Sequence, residues 1–140
     1  MTDTNLRQTY QAIIDAVTAA DPDALDDLIA EDIVDHNAMP GQAPGRAGIK
    51  NWMTMLHDVF AQFSGVVEDT VVEGDKVAAR VTWHGIHRGD FMGVPGTGVP
   101  VAMQSLHILS FRDGLATDWW GTPDIYGALR QVGAVIAPRT

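Results

Sequence analysis

The sequence predicts an α+β domain: a curved antiparallel sheet wrapped over three N-terminal helices, closed by a short C-terminal helix. Three observations lead there. Apolar residues recur at helical spacing as far as Phe63, and from Val66 onward the period changes to that of strands. Two glycine–aspartate pairs, Gly74-Asp75 and Asp113-Gly114, sit between apolar runs where tight hairpin turns belong. At 140 residues, 1–140 is a single domain, long enough for a hydrophobic core and too short for two.

Leu6, Tyr10, Ile13, Ile14 and Val17 form one stripe, so an amphipathic helix spans about residues 5 to 20. Asp21-Pro22 starts a second short helix, the aspartate as cap and the proline in the first turn, with Leu25, Leu28 and Ile29 as its apolar face. Ile33 to His36 reads as a short extended segment, and residues 37–46, with two prolines and two glycines, as a loop. A third helix carries a wide stripe of Ile49, Trp52, Met53, Leu56, Val59, Phe60 and Phe63. Strands follow, with a longer shaped loop between Gly89 and Gly98. Thr122-Pro123 reads as the start of the last helix, which leaves Asp124 as a first-turn acid.

Composition removes several classes of function. A net charge of −9 opposes nucleic-acid binding, because phosphates need a basic surface. Nine of the 18 acidic residues lie in the first 35 positions, where Arg7 is the only base, which fits a solvated acidic helical surface. The absence of cysteine excludes disulfides, thiolate metal sites and a cysteine nucleophile. The N-terminus lacks the basic and apolar pattern of an export signal, and no apolar run is long enough for a membrane span. A cytoplasmic protein without membrane partners is the expectation. The Gly93-Val-Pro-Gly-Thr-Gly98 loop lacks the Lys-Ser/Thr ending of a phosphate cradle, and no Gly-x-Ser-x-Gly elbow supports serine hydrolase chemistry.

The hairpin turns allow faces to be counted. With Asp113-Gly114 as a two-residue loop, Arg112 pairs with Leu115, Leu109 with Asp118 and His107 with Trp120. Met103, Ser105, His107, Leu109, Ala116, Asp118 and Trp120 then share a mostly apolar face turned toward the helices; a bulge would reverse the assignment. An aspartate there is costly to ionise, so Asp118 is expected to have a raised pKa and to act as a base, with His107 as its partner. The alternative is that Asp118 sits at the sheet edge and His107 is a satisfied core histidine. The same counting from Gly74-Asp75 puts Val77, Ala79, Val81 and Trp83 on an apolar face and Arg80 opposite Asp69.

His87 shares the parity of Trp83 and could border a pocket, while His84 points outward. Their spacing suits no shared metal, and no metal site is expected. His57 falls on the stripe of the third helix and either lines the pocket or is structural. His36 and Asn37 enter the long loop at a plausible pocket mouth, where either a substrate contact or loop hydrogen bonding would account for them.

The segments Gly85-Ile-His-Arg-Gly-Asp-Phe-Met-Gly-Val-Pro95, Thr97-Gly98, Phe111-Arg-Asp-Gly114 and Asp118-Trp-Trp120, with Asp124 and Gly127, resemble the SnoaL-like polyketide cyclases of the NTF2-like superfamily. Val34-Asp-His-Asn37 also fits, and the resemblance runs from the first helix to Gln131-Val-Gly133. It implies a cone with a deep apolar cavity, association as homodimers or homotetramers, and ring closure by intramolecular aldol condensation without metal or cofactor. It assigns Asp118 as the acid before the tryptophan and His107, less securely, as its assistant. The ketosteroid isomerases of the same superfamily would have their catalytic aspartate near Asn37, and an amide cannot be a general base.

The leading expectation is therefore cofactor-independent acid/base chemistry on a carbonyl-bearing, largely apolar molecule. Asp118 and His107 would be catalytic. His36, Asn37, Met53, His57, Phe60, Trp83, His87, Met103 and Trp120 would border the substrate. Two alternatives stand beside it: an epoxide-hydrolase-like use of the acid to activate water, and a non-enzymatic binding module or structural dimer.

Overall fold

The computed structural model describes residues 2–134. Helix α1 (Asp3–Ala19) begins where the Thr2 hydroxyl accepts from Asn5 N at 3.2 Å. It ends where Ala20, at φ 53°, turns left-handed and donates back to the carbonyls of Ala16 and Val17. Its expected stripe is buried in full. Helix α2 (Pro22–Leu25) is capped by Asp21, as expected, but is a single turn. Ile29 leaves the helical face assigned to it and opens strand β1 (Ile29–Asp35), where it lies opposite Ala116 with no exposure.

Helix α3 (Gly45–Val59) runs without a linker into β2 (Phe60–Glu73). The helical stripe was expected to continue through Phe60 and Phe63, yet both lie in the strand. A bulge explains the false period: Gln62 takes φ 54° and the register shifts between Ala61 and Ser64, so residues three apart both point inward. Strands β3 (Lys76–His87), β4 (Pro100–Arg112) and β5 (Leu115–Pro123) complete the sheet, and α4 (Ile125–Gln131) follows. Asp124, not Thr122, caps α4, its carboxylate accepting from Gly127 N at 2.9 Å; Thr122 and Pro123 still belong to β5.

The curved, unclosed sheet has the order β1-β5-β4-β3-β2. Its β2 to β5 pairs are antiparallel, whereas β1 adds to β5 in parallel, so the sheet is mixed rather than wholly antiparallel. The hairpin at Gly74-Asp75 has the expected register, Glu73 opposite Lys76, and Arg80 reaches Asp69 at 2.6 Å across the exposed face. Helix α1 packs on β2 and β3, α3 on β1 and β2, and α4 on β4. The core lies between the helices and the concave face, and the site is built there.

Candidate active site

The last hairpin decides which side chains enter the cone. Arg112 pairs with Leu115 as counted, but Phe111 pairs with Ala116 and Ser110 with Asp118, so Thr117 is an extra residue in β5. Beyond this bulge every side chain changes face. Trp119 lies opposite Leu109 and Gly121 opposite His107, and both point inward; Asp118 and Trp120 point outward. The expected inner face holds for Met103, Ser105, His107, Leu109 and Ala116, and is corrected for Asp118 and Trp120.

The concave face and α3 enclose a cavity of about 310 Å³. That volume falls within the ordinary range for small-molecule sites. Its walls are mainly apolar. Trp52 meets Trp83 and Trp119 edge-on, each with ring centroids 6.0 Å apart, and Phe60 and Met103 complete the lining on the β2 and β4 sides.

His107 lies on the cavity wall at 4% exposure. Its Nδ1 is 2.8 Å from the Tyr10 hydroxyl, and its Nε2 has no protein hydrogen-bond partner among the described residues. Burial lowers its pKa from the ordinary 6.5 to about 4. The imidazole is therefore neutral at pH 7, because an apolar site disfavours the charged form. The same burial pushes the Tyr10 phenol well above its usual value.

Asp35 brings a carboxylate to the cavity. Ile33 and Asp35 share one parity along β1; Ile33 is core, so Asp35 faces inward. One oxygen accepts from Asn37 N at 3.1 Å and the other from Gln42 Nε2 at 3.0 Å. Asp90 also reaches the rim, but it is exposed and caps its own loop through Gly93 N at 3.0 Å.

Of the residues expected to border the substrate, Asn37, Phe60, Trp83 and Met103 line the cavity. The Asn37 side-chain oxygen accepts from Gly121 N at 3.0 Å, tying β1 to β5 at the cavity mouth. The others are placed elsewhere. Met53 is core at 1% exposure. His57 Nε2 donates to the Val17 carbonyl at 2.7 Å, satisfying the C-terminal end of α1. His87 is fully buried beside Phe60 and Phe91; its Nδ1 faces the Thr97 hydroxyl at 2.9 Å, and its Nε2 has no partner among the described residues.

His36, Asp118 and Trp120 form a separate cluster on the outer sheet face. His36 Nε2 lies 3.0 Å from the Asp118 carboxylate, and its ring stacks on Trp120 with centroids 4.2 Å apart. Thr117 donates to the other Asp118 oxygen at 3.1 Å. The Asp118 pKa is lowered, chiefly by the His36 hydrogen bond, against the expected rise. Asp118 faces away from the cavity, its anion held chiefly by His36, and so has lost the apolar surroundings the base role required.

Tyr10, Asp35, Trp52 and Trp119 are site residues whose roles the sequence reading did not identify. Tyr10 carried a signal, since a tyrosine among aliphatic residues on a buried stripe needs a partner for its hydroxyl. Asp35 carried another in its parity with Ile33. Among the described residues, no group of three or more His, Asp or Glu side chains is arranged to hold a metal ion.

A curved, unclosed sheet packed over helices matches a known architecture. The SnoaL-like polyketide cyclase family model matches residues 6–132, and the chain belongs to that family. Aklanonic acid methyl ester cyclase DnrD from Streptomyces peucetius is 33% identical over 82 residues. The matched stretch is 58% of this chain and 57% of DnrD, little more than half of that relative. TsrD from Streptomyces laurentii superposes with a TM-score of 0.89 at 27% identity, over 96% of this chain and 99% of TsrD. IdmH from Streptomyces antibioticus gives 0.81 at 33% identity, over 92% and 99%.

Proposed function

We propose that the protein is a cofactor-independent cyclase that closes a ring by intramolecular aldol condensation of an apolar, carbonyl-bearing polyketide. The observation that carries this reading is the apolar cavity with His107 and Asp35 on its wall. The Asp35 carboxylate takes a proton from the carbon beside a carbonyl, leaving an enolate. That carbon attacks a second carbonyl of the same molecule, forming the new carbon–carbon bond. The resulting alkoxide recovers the proton from the Asp35 carboxyl, so no atom is gained or lost.

His107 supports the step at the oxygen rather than at the proton. With a pKa of about 4 it is a weak base, but a neutral imidazole can still hydrogen-bond an enolate oxygen. Proton transfer and bond making require no redox or group carrier, so no cofactor enters this scheme. An ester-activated polyketide of the kind named for DnrD is the first substrate to test. The proposed assembly is a homodimer or homotetramer, and the proposed compartment is the cytoplasm.

The test is ring closure by the purified protein on such an open-chain keto ester, followed by product analysis. Asp35→Asn keeps the shape but cannot accept the proton, and kcat should fall by about 100-fold or more. Undiminished turnover in that variant would remove Asp35 as the base.

A further inference from the structure

We infer that Tyr10 is a positioning residue that holds His107 as its Nε2–H tautomer, making the imidazole a hydrogen-bond donor toward the cavity. The inference deepens the function proposed above and rests on it for its catalytic meaning. The tautomer assignment itself rests on geometry alone.

Tyr10 has no exposure, and His107 has 4%. The hydroxyl lies 2.8 Å from Nδ1, and among the described residues His107 is its only hydrogen-bond partner. The rings meet edge-on, with Trp119 and Trp83 as the other aromatic neighbours of the imidazole. Two arrangements of one neutral pair are possible. If Nδ1 carried the proton and donated to the phenol oxygen, the tyrosine proton would be buried with no acceptor. Leaving a buried donor unmade costs about 1–3 kcal/mol. If the hydroxyl donates to Nδ1, the phenol proton is used, and the one proton left without a protein acceptor is the imidazole's, on the cavity wall where a bound molecule can take it. The imidazole proton then sits on Nε2, the nitrogen left for the cavity.

The raised phenol pKa keeps the tyrosine proton in place at all ordinary pH, and the lowered imidazole pKa keeps the pair neutral overall. His107 is thereby set to donate to an oxygen that gains charge. An Nδ1–H tautomer would instead present a lone pair and repel it. The two residues are 97 positions apart and meet because α1 packs across the sheet.

Long-range 1H–15N correlation spectra of the histidine-labelled, ligand-free protein near pH 7 report the tautomer directly. The expected pattern for His107 is a protonated Nε2 and an unprotonated Nδ1. An Nδ1–H pattern in the wild type overturns the inference, and this arm needs no variant to fold. In Tyr10→Phe, which keeps the ring and removes the hydroxyl, the pattern should become a mixture or invert. On the cyclisation substrate kcat should fall by about tenfold with KM little changed, the loss expected when one well-aimed donor is no longer held. A Tyr10→Phe protein that keeps the pure Nε2–H pattern overturns the positioning role. A wild type with the expected pattern but no ring closure on any keto ester counts against the proposed function and supports the tautomer assignment.

Discussion

Asp118 and Asp35 show how little residue type alone decides. Both are aspartates on short strands beside an aromatic residue or a histidine, and one extra residue, Thr117, sends Asp118 outward. There it pairs with His36, and its charged form is favoured. Asp118→Asn should therefore leave kcat close to wild type while Asp35→Asn loses most of it. Steady-state kinetics on the two variants side by side check this, and a large loss confined to Asp118→Asn would reverse the assignment. The outer cluster keeps a structural value, because His36 both stacks on Trp120 and continues the parallel ladder through its N–H to Trp119 O at 2.9 Å.

Among the elements, β2 and β5 carry the consequences of bulges. The Gln62 bulge lets Phe60 and Phe63 both enter the core, which reproduces helical spacing inside a strand. It works only because β3 offers Gly85 opposite. A Cβ there would lie 2.6 Å from the Cβ of Phe60, at the root of the side chain where no rotamer change relieves it. Gly85→Ala should destabilise the fold by about 1–3 kcal/mol, the usual cost of overpacking, and should also displace a cavity wall. Urea unfolding measures the first effect. An unchanged midpoint would mean that the strands separate more easily than the bulge geometry implies.

Over the whole molecule, the buried histidine couples stability to pH. The His107 pKa is 6.5 when unfolded and about 4 when folded, so between these values the unfolded chain binds a proton that the native state refuses. Stability should fall as pH drops through that window, by on the order of 3 kcal/mol in all. The lowered aspartates, Asp26 and Asp118, act later: their contribution is present above the unfolded value of 3.8 and is lost as pH falls below it. Urea midpoints from pH 7 to 4.5 should slope in the wild type and flatten in His107→Gln; parallel curves would show that another group controls the window. Association is proposed at the same scale. Val34 on β1 and Leu106 and Ile108 on β4 are 50%, 58% and 45% exposed on the outer face, on the two strands that flank β5 and its Trp120. A homodimer would cover them. Leu106→Glu should then give a monomer by light scattering, and a wild type that is already monomeric would sink the proposal.

The sequence by itself determined the elements whose signals are local. The α1 stripe, the Asp21 cap, both hairpin turns and the Asp69–Arg80 pairing all depend on residues close in the chain, and their periods are not interrupted. The same local counting put His107, Trp83 and Met103 on the concave face. The tertiary structure decided what a bulge or a distant partner controls. Thr117 and Gln62 are extra residues with no marker in composition; Thr117 changes the facing of the rest of β5, and Gln62 that of β2 as far as a second shift between Val67 and Asp69. That Asp118 stays out of the cavity followed from the first of these. That His107 meets Tyr10 followed from the packing of α1 on the sheet, because a contact across 97 residues is set by how faces stack and not by spacing along the chain.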